Sequence, residues 1–420
     1  MRGEIICIGD ELMSGRVADT NSRYALKRLW PLGIEVGAVV LVGDDPQAIR
    51  DSLGRALKRA DFVLVTGGLG TTDDDITART AAEVFELPLA ESQRMVKNLR
   101  AFLAARGREP SEEVLRMAWL PQGAEILCTT CAGFRLAGPK GQPVFFLPGV
   151  PQEMRRLTDE HVVPELLKRI TDQDQAVVTR EVRLYGLAES QVAARLAGLA
   201  DRNSQPGVRL GYYPVFPEVQ VTVTVRRDSV AEAEAKADEL SQKIQDRLAD
   251  FVISTNGELL EEKVGRLLSL EGLSLALAES CTGGLIGHRV TSVAGSSDYF
   301  ERGVVVYSNL AKEELLNVSA ETLEDFGAVS HETAREMALG ARQRAHTDIG
   351  LSVTGIAGPG GGTQEKPVGT VFFGLAHGDH VESHHRCFIG NRSQVKVQSA
   401  ETALDILRRY LEEHAPVRSA

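Results

Sequence analysis

The stretch Asp61–Thr77, which reads DFVLVTGGLGTTDDDIT, decides the fold of the N-terminal half of the chain. Phe62–Val65 is a continuous apolar run, as expected for a strand that is buried on both faces of a parallel sheet. A glycine-rich loop follows, and the helical pattern Thr77–Phe85 begins directly after it. A strand, a loop and a helix in this order predict one unit of a doubly wound, mostly parallel α/β sheet.

The loop between this strand and this helix has the composition of a phosphate-binding site. Residues without a Cβ atom let the backbone approach a ligand closely, and carboxylates beside a helix start suit a metal-bridged phosphate ester. The glycines are Gly67, Gly68 and Gly70, and the carboxylates are Asp73, Asp74 and Asp75. The same residues also fit a tight turn whose acidic first helical turn complements the helix dipole.

Other strands of this half end beside carboxylates as well. The apolar runs Ile5–Ile8 and Val36–Val42 precede acidic residues, and the run Val144–Leu147 leads into an acidic helix. Ligands of doubly wound sheets bind beyond the carboxyl ends of the strands. The pattern therefore predicts a site for a divalent metal ion, Mg²⁺ or similar. The predicted ligands are Asp10, Asp44, Asp73, Asp74 and Glu153.

Bulk composition narrows the class of protein. The chain has 420 residues, enough for two or three domains, and its net charge of −11 argues against extensive nucleic-acid binding. No apolar run has the length of a membrane span, and the start MRGEIICIGDEL lacks a signal-peptide pattern. Five cysteines fit a reducing, cytoplasmic environment. Cys128 and Cys131 form a lone CxxC pair without a second pair at zinc-site spacing, so we expect no metal or redox role for them.

The middle of the chain changes character. Glu218–Val225 alternates between valine and polar residues, which predicts a half-buried antiparallel strand in a small α+β domain. This region resembles a KH-like module but lacks the GXXG loop with which KH modules clamp nucleic acid. At the position of that loop the sequence reads DRNSQPG. A spacer or dimerisation module is therefore expected. If the alternating strand lies at a sheet edge, it needs to be paired or covered, which favours a homodimer.

The C-terminal part contains a candidate nucleophile. Ser280 follows the buried strand Leu273–Ala278 at a predicted helix start, where free amides can stabilise an oxyanion. Lys312 follows a second strand, Val304–Tyr307, on the same rim of the predicted sheet. A desolvated lysine can accept the proton of a serine hydroxyl. Ser280 could equally be a plain helix cap.

Longer motifs resemble known families. IGDEL with Asn21, TGGLGTTDDDIT and LPGVPQEM resemble the molybdopterin-binding domain of the molybdenum-cofactor biosynthesis type. ESCTGG, AGSSDYFERG, YSNLAK, TGIAGPGGGT and GNR resemble the nicotinamide-nucleotide amidase family. With a KH-like connector between them, the two domains resemble the CinA (competence/damage-inducible protein A) family. Thr71 replaces a usual Pro, and CTTCAGF lacks the Asn and second Gly usual before the last strand.

The resemblance implies three domains, at 1–172, 173–255 and 256–420, and a cytoplasmic homodimer. It implies deamidation of nicotinamide mononucleotide at the C-terminal domain without a cofactor, and metal-dependent hydrolysis of ADP-ribose at the N-terminal domain. Alternatives are molybdopterin binding or adenylylation, and a non-enzymatic scaffold for DNA uptake. The implied catalytic residues are Ser280, Lys312, Tyr307 and Thr354. The implied substrate-binding residues are Ser297, Arg392, Thr282, Gly283, Gly358, Gly67, Gly68, Gly70 and Asn21.

Overall fold

The computed structural model describes residues 1–169, 176–200 and 205–414. Two compact units make up the chain, Met1–Thr179 with Thr224–Ala237, and Arg180–Val223 with Asp238–Ala420. Within the described ranges, no helix is long and apolar enough to cross a membrane. The predicted boundary at residue 172 and the first four residues of the DRNSQPG turn, 201–204, lie outside the described residues.

A six-stranded sheet forms the centre of the N-terminal part. Its strands are β1 Arg2–Ile8, β2 Glu35–Val42, β3 Phe62–Thr66, β6 Glu125–Ile126, β7 Phe134–Ala137 and β8 Pro143–Leu147. The order is β2-β1-β3-β8-β7-β6, and a separate pair joins β4 Leu89–Glu91 to β5 Trp119–Pro121. The first four strands in this order are parallel, whereas β7 runs antiparallel to β8 and β6. The predicted doubly wound, mostly parallel sheet is confirmed.

Helices cover both faces of this sheet because successive side chains of a buried strand point to opposite faces. Val63 and Val65 pack into one core, and Phe62 and Leu64 pack into the other. The helices are α1 Asp10–Met13, α2 Asn21–Leu29, α3 Pro46–Arg59, α4 Thr77–Val84, α5 Gln93–Ala104, α6 Glu112–Arg116, α7 Pro151–Leu157 and α8 Val163–Leu167, with a π-helical turn at Thr158–Val162.

The connector contains a four-stranded sheet in the order β10-β11-β9-β12. Its strands are β9 Ala176–Leu184, β10 Val208–Val215, β11 Glu218–Arg227 and β12 Val252–Ser254, and its helices are α9 Glu189–Arg195 and α10 Val230–Leu248. The alternating strand is β11, and its valines are buried. Since β11 lies between two neighbours, it is a central strand, and the edge on which the alternation would favour a homodimer is not formed by β11. The edge strands are β10 and β12.

The C-terminal part contains a five-stranded sheet in the order β14-β13-β15-β16-β17. Its strands are β13 Leu275–Glu279, β14 Phe300–Val305, β15 Ile349–Gly355, β16 Thr370–His377 and β17 His380–Cys387. Its helices are α11 Leu260–Glu271, α12 Leu285–Thr291, α13 Asn309–Leu316, α14 Ala320–Asp325, α15 His331–Ala345 and α16 Arg392–His414. Strands β16 and β17 pair antiparallel and form a hairpin that turns at Gly378.

Candidate active sites

Ser280 and Lys312 lie together in the C-terminal part. Strand β13 ends at Glu279, so Ser280 is the first residue beyond the strand, and its N–H donates to the carbonyl of Val353 on the neighbouring β15. Lys312 lies on α13, which begins after the strand on the other side of β13. The Nζ atom of Lys312 is 3.4 Å from the Oγ atom of Ser280. Neighbouring strand ends thus bring together residues that are far apart in sequence.

Burial controls the charge state of Lys312. Its side chain is 1% exposed, and Nζ also donates to the carbonyl oxygen of Val306 at 2.9 Å. No carboxylate of the described residues forms an ion pair with it. Burial therefore lowers the pKa of Lys312, because the ammonium form loses its hydration without gaining a counter-ion. A neutral amine beside a serine hydroxyl can act as a general base.

The amides at the start of α12 are already used, contrary to our expectation that they stabilise an oxyanion. The carboxylate of Glu279 accepts from the N–H groups of Gly284, Ile286 and Gly287, at 2.9, 3.2 and 2.8 Å. A carboxylate at this position satisfies the helix N-terminus itself. Donors for an oxyanion must therefore come from other groups around Ser280.

Two such groups lie close by. The hydroxyl of Thr282 is fully buried and has no hydrogen-bond partner among the described residues, although buried hydroxyls are normally paired. The Nζ atom of Lys396 lies 3.5 Å from the position that a Cβ atom on Gly283 would occupy. The Thr282 hydroxyl thus retains an unused donor, and Lys396 places a cation beside the turn that follows Ser280.

Cys281 shows the opposite properties. It is 5% exposed and belongs to the hydrophobic core of this part of the chain. Burial raises the pKa of the Cys281 thiol to about 12, so the thiol stays protonated at neutral pH. A protonated core thiol is a poor nucleophile, which leaves Ser280 as the better candidate.

The remaining predicted residues fall into separate groups. Arg392 donates to the Tyr307 hydroxyl and to the Gly358 carbonyl, both at 2.7 Å, so these three residues form one cluster. Tyr307 lies beyond the end of β14 and is 62% exposed, whereas the sequence predicts it as the last residue of that strand. The buried hydroxyl of Thr354 donates to the Ala328 carbonyl at 2.6 Å. Ser297 lies on an exposed 3-10 turn and, within the described ranges, makes no hydrogen bond to this cluster.

Sequence reasoning missed Lys396 and Glu279. Lys396 is four residues after Arg392 on α16, so one face of the helix carries both cations. This spacing of four residues is the sequence signal that could have identified Lys396. Glu279 directly precedes Ser280, but nothing in its sequence context shows that its carboxylate folds back over the next helix.

The N-terminal part contains a cavity of about 420 Å³ at the carboxyl end of its sheet. The predicted glycine loop forms part of its wall. Gly67 has a φ of +104°, and a Cβ atom there would lie 2.1 Å from the carbonyl oxygen of Ile8, so only glycine fits. The lining residues that the sequence predicts are Asp44, Gly67, Gly68, Gly70, Asp74 and Glu153. A neighbouring cavity of about 660 Å³ shares part of this wall.

The predicted metal ligands occupy different positions around this cavity. Asp10 and Asp44 each accept the other's backbone N–H, at 3.1 and 2.9 Å, which joins the ends of β1 and β2. Burial raises the pKa of Asp44, the N–H of Asp10 opposes the shift, and nearby carboxylates add to it. Burial also raises the pKa of Glu153. Crowded carboxylates that resist ionisation are the donor set that a hard divalent cation would stabilise.

Asp73 and Asp75 have protein partners instead. Asp73 forms an ion pair with Arg116 at 2.6 Å and its side chain is 95% exposed. Asp75 accepts from the N–H groups of Gly70 and Thr72, at 2.7 and 2.8 Å, and so fixes the loop. Within the described residues, no three His, Cys, Asp or Glu side chains are arranged to hold a metal by themselves. A metal at this site therefore needs oxygen atoms from a substrate or from water.

Asn21 joins the glycine loop to the loop after β8. Its side-chain amide donates to the Thr66 hydroxyl and to the Gly149 carbonyl, at 3.0 and 2.9 Å. Its buried Oδ1 atom has no partner. The residue thus positions the cavity wall and retains one free acceptor.

Comparison with known proteins covers nearly the whole chain. Residues 4–168 match the family described as "Probable molybdopterin binding domain", residues 179–254 the "Damage-inducible protein CinA KH domain", and residues 257–411 the "CinA C-terminal domain". A CinA-like protein from Desulfotalea psychrophila is 42% identical over 97% of this chain and 98% of its own length. Another from Geobacter sulfurreducens is 43% identical over 98% and 99%.

Solved structures with this likeness are shorter. A CinA superfamily protein from Klebsiella pneumoniae is 35% identical, covers 37% of this chain and 96% of its own, and superposes with a TM-score of 0.36. The matches to relatives over nearly their full length are the stronger finding, and they show that the chain belongs to the CinA family.

Proposed function

We propose that the C-terminal domain hydrolyses the carboxamide of nicotinamide mononucleotide to a carboxylate and ammonia. One observation carries this proposal, namely the buried Lys312 amine 3.4 Å from the Ser280 hydroxyl. A serine paired with a desolvated lysine is a recurrent arrangement for acyl transfer. The choice of substrate comes from the resemblance to the nicotinamide-nucleotide amidases.

The reaction follows from this pair. Ser280 Oγ attacks the carboxamide carbon while Lys312 Nζ takes the hydroxyl proton. The tetrahedral intermediate then expels ammonia, which receives that proton from Lys312, and an acyl-serine remains. Water attacks the ester, Lys312 again takes a proton and returns it to Ser280, and the carboxylate leaves. The lysine must be neutral at the start of each half, in agreement with its lowered pKa.

Other side chains of the site have roles that match their chemistry. The unpaired hydroxyl of Thr282 can donate to the developing oxyanion. Arg392, beside Tyr307 and Gly358, and Lys396, beside Gly283, supply positive charge for a nucleotide phosphate. Thr354 holds the strand end through Ala328.

Ammonia release from the purified full-length chain tests this proposal. Nicotinamide mononucleotide should be consumed, and nicotinamide riboside, which lacks the phosphate, should react much more slowly. Ser280→Ala should lose the activity, and Cys281→Ala is the matched control at the neighbouring position. Absence of ammonia release from the wild-type protein would contradict the assignment.

For the N-terminal domain we propose metal-dependent hydrolysis of ADP-ribose to AMP and ribose 5-phosphate. Asp44, Asp74 and Glu153 line the same cavity as the glycine loop, and they would hold the ion, which polarises a phosphoryl oxygen when bound. The backbone of the glycine loop, which lines this cavity, would contact the pyrophosphate.

Molybdopterin binding or adenylylation is the second candidate for this domain, and the match of residues 4–168 favours it. Titration of the full-length chain with ADP-ribose and with molybdopterin, followed by an assay for AMP, separates the two. AMP formed from ADP-ribose alone supports hydrolysis. A role as a scaffold in DNA uptake is tested by a salt-dependent DNA-binding titration, in which the net charge of −11 predicts no stable complex.

A further inference from the structure

Cys128 and Cys131 lie in the loop between β6 and β7, and neither participates in the proposed reactions. Their Sγ atoms are 2.7 Å apart, with the Cys131 thiol donating to Cys128. Two backbone N–H groups also point at Cys128 Sγ, from Thr130 at 3.3 Å and from Cys131 at 3.2 Å. The two sulfur atoms are therefore held against each other by the loop itself.

A cation completes the surroundings of Cys128. Nη2 of Arg156, on α7, lies 3.1 Å from Cys128 Sγ and 3.9 Å from Cys131 Sγ. The carboxylate of Glu153, one turn earlier on the same helix, acts against Arg156 because it repels a negative charge on Cys128. Arg156 also forms an ion pair with Glu160. Hydrogen bonds from Cys131, Thr130 and Arg156 outweigh burial and lower the pKa of Cys128 to about 4, whereas the hydrogen bond to Cys128 raises the pKa of Cys131. The pair therefore consists of one thiolate and one thiol, the arrangement of redox-active CxxC motifs.

We propose that Cys128 and Cys131 form a redox-active dithiol that a small peroxide closes to an intramolecular disulfide. The sequence spacing alone indicates no role for this pair, because it shows only that a second CxxC pair, which a zinc site would need, is missing. The geometry adds what the spacing lacks, namely two sulfur atoms in contact, two backbone N–H groups directed at Cys128 Sγ, and a guanidinium beside both sulfur atoms.

The chemistry balances in two steps. The Cys128 thiolate attacks one oxygen of hydrogen peroxide, the O–O bond breaks, and Cys128 becomes a sulfenic acid as hydroxide leaves and is protonated to water. The Cys131 sulfur then attacks the Cys128 sulfur, the S–O bond breaks, and the Cys131 proton leaves with that oxygen as a second water. Two thiols are oxidised by two electrons and one peroxide is reduced to two waters. Both cysteines are nearly buried, at 4% and 2% exposed, which favours a small oxidant over a bulky one.

Because this loop borders the N-terminal cavities, oxidation of Cys128 and Cys131 would change the cavity wall. Ala132, the residue after Cys131, lines both N-terminal cavities, and Arg156 lies on the helix that carries Glu153. Closing the disulfide removes the negative charge that Arg156 contacts and fixes the loop that forms this wall.

Peptide mapping of the full-length protein tests the proposal. Trypsin releases residues 117–135 as one peptide, because no Lys or Arg lies between Arg116 and Arg135, and it contains both cysteines. The protein is reduced, treated with peroxide, denatured and then alkylated. We expect this peptide to carry no alkyl group and to be two hydrogens lighter than its reduced form. Dithiothreitol should restore both sites. Cys7, a buried thiol whose pKa is raised by burial and by Asp19, is the internal control and should remain alkylatable.

The variant Arg156→Met tests whether disulfide closure depends on a stabilised Cys128 thiolate or only on the proximity of the two sulfur atoms. Arg156→Met should slow peroxide-dependent closure severalfold at pH 5 and much less at pH 8, where the thiolate forms without the guanidinium. Cys131→Ser should leave a sulfenic acid at Cys128 that dimedone traps. If both thiols of the 117–135 peptide remain alkylatable under peroxide that oxidises the exposed Cys387, the proposal is wrong. Oxidation of either cysteine without a disulfide between them would overturn it as well.

Discussion

The Nζ atom of Lys312 lies 3.4 Å from the Oγ atom of Ser280, although 32 positions separate the two residues. The contact forms because β13 and β14 are parallel neighbours, so the segments that follow them emerge at the same edge of the sheet. Among the residues that the structure describes, neither has a carboxylate partner that would keep the lysine charged. The distance and the lowered pKa of Lys312 both support the proposed role of the lysine, activation of the serine hydroxyl.

Ser280→Ala and Lys312→Met should each abolish most deamidation, because one removes the attacking oxygen and the other removes the base. We expect losses of at least about 10³-fold in kcat, with no further loss in the double variant, since the two groups act as one unit. Steady-state ammonia release on the three variants measures this. Cys281→Ala should retain most activity and lose stability, because it leaves a small cavity in the core. Additive losses would contradict a unit of Ser280 and Lys312, and loss of deamidation in Cys281→Ala would show that the thiol carries the reaction.

The pH dependence should follow the ionisation of Lys312. Because burial lowers its pKa, deamidation should rise with pH to a plateau, with a midpoint below the ordinary lysine value of about 10.4. Stability should rise with pH between the lowered and the ordinary pKa, because the unfolded chain binds more protons there. Lys312→Met removes this dependence. Thermal unfolding at several pH values compares the two proteins, and parallel curves would contradict a neutral buried lysine.

Thr282→Val tests whether the unpaired hydroxyl serves the reaction. A buried hydroxyl without a partner costs about 1–3 kcal/mol, so the variant should be more stable. Loss of an oxyanion donor should lower kcat by about 10²–10³-fold. The matched control is Thr354→Val, which breaks the hydrogen bond to Ala328 and should destabilise the protein. Unchanged kcat in Thr282→Val would exclude the hydroxyl from the reaction.

The two neighbouring aspartates of the N-terminal loop should differ. Asp74→Asn should lower ADP-ribose hydrolysis by about 100-fold or more, since even partners that only orient metal ligands contribute about 10–100-fold. Asp73→Asn should have a small effect, because Asp73 is exposed and pairs with Arg116. Chelation should stop this activity and spare deamidation. Equal loss in both variants, or equal sensitivity of both activities to chelation, would overturn the placement of the metal.

Light scattering at micromolar concentration should give the mass of a homodimer. Strand β10 is an edge strand of the connector, and long edges are usually paired or covered. Dilution into the nanomolar range should then lower the average mass. A monomer mass at every concentration would contradict the predicted homodimer.

Local patterns in the sequence account for much of the fold. The apolar run Phe62–Val65 predicts a central parallel strand, because only strands buried on both faces are apolar throughout. The alternation in Glu218–Val225 predicts a strand with one buried face, and its valines are buried. Alternation cannot reveal whether such a strand has one neighbour or two, because both arrangements bury the same face. The sequence therefore leaves the place of this strand in its sheet open, and the structure places it in the centre.

By itself, the sequence determined the types and order of the elements and placed Ser280, Lys312 and the glycine loop at strand ends, because periodicity and loop chemistry are local properties. The tertiary structure decided what those residues do. It lets Glu279 occupy the amides expected for an oxyanion, leaves the Thr282 hydroxyl unpaired, pairs Asp73 with Arg116, and brings Arg156 to Cys128. Burial, hydrogen-bond partners and the resulting pKa shifts depend on neighbours distant in the chain, and those neighbours exist only once the sheets have formed.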